Sequence, residues 1–270
     1  MTVEMRSGGE AEQIRPGLML TFARGSRPDR AAVTAAIAGL ARAAISHDPA
    51  AADRPHHAAV PPRSDGETAD WLELVVDGLT FDLVGLAPGP ALTAPEVVHR
   101  YNCDIDCMAE GEAVGLFPGP HIAQAVATLP ILRTLLGLAA DLVQALPGVE
   151  TVCWSPARSA IAPQFFMRSI RAWLGGGPFP ALGLLGLSFD PSGALRSEGL
   201  RFLVGAELLV EAELAADRAR AMRLAVRIVH EVVGAELSDA MQEFVTEEGE
   251  CLLLAPDPAA RVIAIRRARE

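Results

Sequence analysis

The sequence predicts an α+β fold, in which an antiparallel or mixed sheet carries helices packed mainly on one side. Three observations predict it. Hydrophobic residues make up 50% of the 270 residues, and a chain of this length can bury a substantial core without disulfides or metals. Apolar runs typical of strands alternate with stretches of helical period. Several consecutive runs are separated only by turn residues, which favours antiparallel hairpins over βαβ crossovers.

In the first half of the chain, turn residues separate the apolar segments. Asp77-Gly78 stands between two such segments, and this dipeptide is the strongest short-range signal for a hairpin. The elements expected here, in chain order, are a strand over Leu18–Ala23, a helix over Pro28–Ile45, strands over Trp71–Val76 and Thr80–Leu86, and a short helix over Pro95–Tyr101.

In the second half, proline and glycine mark where the segments begin and end. Pro130 suits the first turn of a long apolar helix, and Pro147-Gly148 ends it. The remaining expected elements are strands over His121–Thr128, Glu150–Trp154 and Ala181–Phe189, a helix over Pro163–Leu174, an extended run over Leu200–Val210 interrupted at Gly205, a helix over Ala215–Val233, and a hairpin of Cys251–Leu254 with Val262–Ile265.

The chain is predicted to form one domain behind a flexible arm. Residues 1–16 are polar and acidic and predict the arm, and residues 47–69 predict a loose loop. Residues 17–270 then form a single α+β domain with two loosely similar βαββ halves, about 17–117 and 118–270. Because no Gly/Ser-rich or charged linker divides the chain near its middle, we expect one continuous sheet built from both halves.

Charge and composition restrict the function. The net charge of −11 disfavours binding to nucleic acid and to anionic membranes. It favours another protein as the partner, and a basic surface on that partner would complement the charge. All 23 basic residues are arginine, which excludes a Schiff-base lysine and the lysine of a P-loop. The sequence shows no secretory signal and no apolar stretch long enough to cross a membrane. We therefore expect a cytoplasmic protein without a cofactor.

Several motifs in order resemble an uncharacterised bacterial family, "domain of unknown function 4261". They extend over about residues 18–210 and begin with a strand-helix pair. The later ones are the Trp71–Leu86 hairpin with Ala87-Pro88-Gly89-Pro90, a His121-bearing strand before a long apolar helix, Val152-Cys153-Trp154-Ser155, and Ser197-Glu198-Gly199-Leu200-Arg201-Phe202 followed by Gly205-Ala206-Glu207-Leu208. Residues Tyr101–Gly115 depart from the family pattern. Because the family is uncharacterised, the resemblance implies no activity.

His99, Cys103 and Cys107 form the most conspicuous cluster of metal-ligating residue types. On a helix they would lie on one face, and thiolates with an imidazole suit zinc. Structural zinc sites usually need a second pair of cysteines, whereas here only Cys153 and Cys251 remain, each in a predicted core strand. The sequence therefore predicts no bound metal, and these three residues are weak candidates.

Two segments contain the candidate binding residues. Trp154, Ser155 and Arg158 follow a strand and precede a helix, and Arg158 could bind a carboxylate or phosphate through two hydrogen bonds. No G-x-S-x-G elbow surrounds Ser155, so an ordinary turn with a packed Trp154 is the competing interpretation. Arg196, Glu198 and Glu207 form the second segment. Glu198 and Glu207 could act as an acid/base pair, or could be structural partners of a nearby arginine.

Two hypotheses on function follow. The first is a non-catalytic, protein-binding or accessory protein of the immunity type, because no nucleophile-base arrangement is recognisable. The alternative is a hydrolase or small-ligand-binding enzyme with a site between Trp154–Ser159 and Arg196–Glu207. Convergence of these two segments on one concave pocket would discriminate between the hypotheses, in favour of the second. The Ser197–Leu208 segment is expected to be structural first, with Phe202 buried and Gly199 and Gly205 at bulges or close approaches.

Overall fold

The computed structural model describes residues 15–51, 70–103, 111–234, 240–246 and 248–268. Within these ranges the predicted α+β class is confirmed, with helices packed on antiparallel and mixed sheets. The expectation of one continuous sheet is wrong, because the strands form an eight-stranded and a six-stranded sheet. Strands from both predicted halves lie in the larger sheet, and the division between the sheets falls between residues 161 and 186.

The larger sheet has the strand order β2-β3-β4-β6-β1-β7-β8-β5. All neighbouring pairs are antiparallel except the parallel pair β5 and β8. Its strands are β1 (Leu18–Phe22), β2 (Ala43–His47), β3 (Trp71–Val76), β4 (Leu79–Val84), β5 (His99–Tyr101), β6 (Glu112–Pro118), β7 (Val149–Trp154) and β8 (Ser159–Ile161).

Strand β1 lies at the centre of this sheet, between β6 and β7. Leu18 of β1 is opposite Leu116 of β6 and Trp154 of β7, and all three side chains are buried. The predicted hairpin of β3 and β4 is confirmed: Asp77 and Gly78 have φ values of 51° and 82°. Positive φ at both central residues is the conformation that matches the twist of a two-residue hairpin, which explains the Asp-Gly dipeptide.

Three helices pack on the larger sheet: α1 (Arg30–Ala38), α2 (Leu129–Ala145) and α3 (Pro163–Leu174). Helix α2 contacts both α1 and α3 and lies on β4 and β6, so the three form one layer. Pro130 stands in the first turn of α2, as predicted. The Asp29 carboxylate caps α1 by accepting a hydrogen bond from the Ala32 amide at 2.8 Å.

The smaller sheet has the strand order β12-β13-β14-β11-β10-β9, and β11 pairs with β14 in parallel. The predicted hairpin near the end of the chain is confirmed as β13 and β14. The elements are helices α4 (Ala181–Leu184), α5 (Leu200–Val204) and α6 (Arg218–Val232) and strands β9 (Gly186–Phe189), β10 (Leu195–Glu198), β11 (Glu207–Val210), β12 (Gln242–Val245), β13 (Cys251–Asp257) and β14 (Val262–Arg267).

The helix expected over Pro28–Ile45 is wrong in its second half, which is strand β2. Helix α1 ends at Ala38, and the Gly39 and Leu40 amides bond to carbonyls of its last turn. The alanine-rich segment that follows pairs with β3 and has alternating exposure, as a strand does. Pairing with an existing strand outweighs the helix propensity of alanine, which is only a fraction of a kcal/mol per residue.

Other boundaries also differ from expectation. The helix over Pro95–Tyr101 is wrong, because residues 99–101 form β5. The strand over His121–Thr128 is wrong: its residues form a turn with a 3-10 segment at Ala123–Ala125, and the strand is β6, just before it. Ala181–Leu184 is a single turn with non-helical backbone angles at Leu182 and Gly183, and Leu200–Val204 is helical, so neither segment forms the expected strand. These segments are short, and periodicity does not distinguish short apolar helices from strands.

The predicted arm and loop fall mostly outside the described residues. Of residues 1–16 the structure describes Arg15 and Pro16, and of residues 47–69 it describes 47–51. Across the described part of the chain, no helix is both long and apolar enough to cross a membrane.

The reactivity of Cys153 in β7 provides a test of how the central strands pack. Its side chain is 1% exposed, and burial, with a smaller contribution from nearby Cys103, raises the pKa of its thiol to about 12. A shift of this size lowers the thiolate fraction at pH 8 about a thousandfold. We expect iodoacetamide at pH 8 to leave Cys153 unmodified in the native protein and to alkylate it in guanidinium chloride, as measured by peptide mass spectrometry.

Half-buried Cys251 is the internal comparison for this experiment. It should react faster than Cys153 in the native state and at the same rate after denaturation. Equal native rates would contradict the burial of β7.

Candidate functional site

The two candidate segments, which come from different sheets, meet at one open cleft of about 710 Å³. One side is the turn that joins β7 to β8. The other consists of β10, helix α5 and the start of β11. Five of the six predicted site residues line the cleft, namely Ser155, Arg158, Arg196, Glu198 and Glu207.

Trp154, the sixth candidate, lies in the core beneath the cleft. Its side chain is 1% exposed, and its ring meets Phe202 of α5 edge to face, with centroids 5.5 Å apart. This confirms the interpretation that Trp154 is packed in the core. Phe202 itself is only half buried, because its other side faces the cleft. The expectation that Phe202 is fully buried is therefore wrong.

The Ser155 hydroxyl is engaged by the backbone that leads into β1. Its oxygen accepts a hydrogen bond from the Gly17 amide at 3.1 Å. Carbonyl oxygens of Gly17 and Arg15 lie 3.1 and 3.4 Å from it, in position to receive its proton. The hydroxyl therefore fastens the turn after β7 to the chain that enters the central strand, as the connector interpretation of this segment requires.

The Glu198 carboxylate joins the two sheets. One oxygen accepts from Arg158 Nε at 2.5 Å, and the other lies 2.8 Å from His99 Nε2 of β5. Burial raises the pKa of Glu198, but the hydrogen bonds from Arg158 and His99 outweigh it, so the pKa lies below its ordinary value. The same bond to Glu198 raises the pKa of Arg158. The alternative of a structural ion pair is thus confirmed for Glu198.

Glu207 is held by hydrogen-bond donors at the beginning of α5. Its carboxylate accepts from the Ser197 hydroxyl at 2.5 Å and from the amides of Gly199, Leu200 and Arg201 at 2.9, 3.2 and 3.2 Å. The first amides of a helix have no acceptor within the helix, and a carboxylate placed there satisfies them. Glu207 is therefore a cap for α5, and neither the acid/base pair nor an arginine partner describes it.

Arg196 and Asp190 hold the turn between β9 and β10. Arg196 Nε donates to Asp190 at 2.8 Å, and the side chain of Arg196 is 50% exposed. The Asp190 carboxylate also accepts from the hydroxyl and amide of Ser192. Bonds from the Ser192 hydroxyl and from Arg196 lower the pKa of Asp190 to about 2.

Gly199 and Gly205 stand at the two ends of α5, both with positive φ, at 96° and 85°. They are not bulges within a strand, as the sequence suggested. A Cβ on Gly199 would come within 2.8 Å of the Ala157 Cβ, whereas one on Gly205 would meet nothing within 4 Å. Gly199 is therefore the position where two backbones approach closely, and Gly205 serves only the left-handed turn.

The three metal-ligand candidates do not form the expected helical face. His99 lies on strand β5 and binds Glu198, and the Cys103 thiol is 3.3 Å from the Ala160 carbonyl, to which it donates. Cys107 lies outside the described residues. Among residues that the structure does describe, no three His, Cys, Asp or Glu side chains are grouped as ligands for a metal ion.

Sequence reasoning missed three residues of the cleft: Pro16, Ser188 and Arg201. Pro16 and Ser188 belong to no motif, whereas Arg201 lies in the family-like segment but was not among the candidate residues. A signal for Arg201 was nevertheless present, because glycines six positions apart can mark both ends of a short helix, and Arg201 lies in its first turn. It also missed that His99 is hydrogen-bonded to the Glu198 carboxylate.

Comparisons of the chain with known protein families, with curated proteins and with solved structures found no match. The resemblance to "domain of unknown function 4261" therefore stays a prediction. The function proposed below is inferred from the residues of the cleft.

The two glycines of α5 should differ in their tolerance of alanine. Gly205→Ala adds only the cost of a left-handed residue, about 1–2 kcal/mol of unfolding free energy. Gly199→Ala should cost more, because the new methyl group also collides with Ala157. Urea unfolding followed by circular dichroism measures both. Equal losses would mean that the Gly199–Ala157 contact does not constrain the fold.

The bridge at Glu198 should weaken in acid. The pKa of Glu198 is lower in the folded state than in the unfolded state. Its contribution to the free energy of unfolding is therefore complete above the ordinary pKa of glutamate, about 4.3, and is lost as pH falls through the pKa of the folded state. The stability difference between wild type and Glu198→Gln should therefore shrink below pH 4.5. Comparing melting temperatures of the two proteins from pH 3 to 7 isolates Glu198 from other carboxylates. A difference independent of pH would contradict the bridge.

Proposed function

We propose that this chain is a non-catalytic binding protein of the cytoplasm, of the accessory or immunity type, and that it contacts another protein through the cleft between Ser155–Arg158 and Arg196–Glu207. One observation carries the proposal. The two segments converge, but the Ser155 hydroxyl and the carboxylates of Glu198 and Glu207 are already hydrogen-bonded by the chain itself.

Ser155 lacks the environment of a catalytic serine. A serine nucleophile needs a neighbouring base that removes its proton. In the described part of the chain, the hydrogen-bond partners of the Ser155 hydroxyl are backbone atoms of Arg15 and Gly17. A hydroxyl with these partners is suited to holding a turn.

The two glutamates are also engaged by the chain. A general base must present a free lone pair to the proton that it abstracts. Glu207 accepts four hydrogen bonds, which fill the lone pairs of a carboxylate. Glu198 accepts two, and although burial raises its pKa, the bonds from Arg158 and His99 lower it below the ordinary value, which makes Glu198 a weak base. Arg158 and Arg196 each remain 42% or more exposed. Exposed arginines beside glutamates that are already hydrogen-bonded favour recognition over catalysis, since arginine is enriched at the centres of protein interfaces.

A hydrolase or small-ligand-binding enzyme remains the second candidate. The observation in its favour is the cleft itself, whose volume of about 710 Å³ lies within the roughly 300–1,000 Å³ of small-molecule sites. In that case Ser155 or Glu198 would have to exchange its present partner for a substrate.

Site-specific photo-crosslinking tests the proposal. Benzoylphenylalanine replaces exposed Ser188 in the cleft and, as the matched control, exposed Gln164 on α3. After irradiation of cells that naturally contain the protein, we expect a discrete crosslinked protein from position 188 and none from position 164. The same pattern from both positions, or no adduct from either, would overturn the proposal.

A fluorophosphonate probe provides the enzymatic arm of this test. Such probes label activated serines, so we expect no labelling of the native protein at Ser155. Labelling that disappears in Ser155→Ala would establish the second candidate instead.

A further inference from the structure

The cleft has spare hydrogen-bond donors, but its charged acceptors are occupied. The carboxylates of Glu198 and Glu207 are both engaged within the protein, as described above. Arg201 is exposed, and its guanidinium has no hydrogen bond or ion pair with any residue that the structure describes. Among the described residues Arg196 bonds only to Asp190, through its Nε, which leaves its two terminal nitrogens for a ligand.

The charge of the cleft also differs from that of the molecule. Three arginines and two glutamates line it, which gives a formal charge of +1 within a chain of net charge −11. A guanidinium with free terminal nitrogens binds a carboxylate through two parallel hydrogen bonds. The cleft therefore selects a ligand that carries acceptors and negative charge.

We propose that the cleft binds a short acidic segment of the partner protein, and that Arg201 and Arg196 bind its Asp or Glu carboxylates. The inference rests on the proposed function, because it names the chemistry that the partner presents to the same cleft. Its new element is Arg201, whose backbone amide fixes it to Glu207 while its side chain stays available.

The openness of the cleft favours a peptide over a small molecule. Sites for small ligands usually bury 70–90% of the ligand surface, whereas the side chains of Arg158 and Arg196 are 42% and 50% exposed. A segment of a larger partner can place one or two carboxylates here and make its other contacts outside. The segment must be short, because beyond the cleft the net negative charge repels a long acidic or phosphate-bearing chain.

An apolar residue next to the acidic one would add to recognition. Phe202, Pro156 and Pro16 line the same cleft, and Phe202 is half buried against Trp154. Aromatic and proline side chains provide rigid apolar surface at little entropic cost. The expected sequence pattern in the partner is therefore an Asp or Glu beside an aliphatic or aromatic residue.

Calorimetric titration of the full chain tests the inference with defined probes. The acidic probe is the acetylated, amidated peptide Gly-Asp-Leu-Glu-Leu-Gly, and its neutral counterpart is Gly-Asn-Leu-Gln-Leu-Gly. We expect the acidic peptide to bind at least tenfold more tightly, and Arg201→Gln and Arg196→Gln each to weaken it about tenfold, because each removes a charge-assisted pair.

Arg168→Gln is the matched control, because Arg168 is exposed on α3, away from the cleft. It should leave peptide binding unchanged, and all three variants should melt within a few degrees of wild type. Equal affinity for both peptides, or equal losses in all three variants, would overturn the inference. Tighter binding of inorganic phosphate or of a dodecathymidine oligonucleotide than of the acidic peptide would also overturn it.

The outcomes separate this inference from the proposed function. If a partner crosslinks at position 188, but Arg201→Gln changes neither that adduct nor peptide affinity, the acidic segment is wrong and the binding function stands. If the acidic peptide binds through Arg201, but no partner crosslinks in cells, the chemistry of the cleft stands and the protein partner is wrong.

Discussion

The close approach of Gly199 to Ala157 is the constraint on which the candidate site depends. Because a Cβ at residue 199 would come within 2.8 Å of the Ala157 Cβ, the turn after β7 can lie against the beginning of α5 only with glycine there. This contact brings the two sheets together at the point where Glu198 reaches both Arg158 and His99. A larger residue at position 199 would separate these groups, and the cleft between them would lose one of its sides.

Hydrogen bonds within the protein to the two glutamates explain why the cleft offers donors rather than acceptors to a ligand. A partly buried carboxylate is costly unless donors surround it, and both glutamates have donors supplied by the chain. Glu207 organises a five-residue helix that is too short to be stable alone, since isolated helices need about 12–15 residues. Arg201 gains a defined position from that helix. The two glutamates thus hold the sides of the cleft in place, while the exposed arginines determine which ligand the cleft can recognise.

The sequence predicted the elements whose local signals agree with the tertiary structure. Asp77-Gly78 has the conformation that its hairpin requires, and helices α2, α3 and α6 have long apolar faces bounded by proline, glycine or capping residues. Prediction was wrong where a short segment takes its structure from a distant partner, as β2 does from β3. It was also wrong for α5, whose cap, Glu207, follows the helix in sequence. The sequence identifies Trp154–Ser159 and Arg196–Glu207 as candidate segments, but the geometry of their convergence depends on contacts between the sheets that no local pattern encodes.

Trp154 gives the protein an optical property that follows from its place beneath the cleft. Its indole N–H finds no acceptor among the described residues, and its ring is 1% exposed and meets Phe202 edge to face. Indole in such apolar surroundings emits at shorter wavelength than indole in water. Trp154 is therefore an intrinsic fluorophore at the junction of the two sheets, and with Trp71 and Trp173 replaced by phenylalanine its emission would respond to movement of Phe202 on α5.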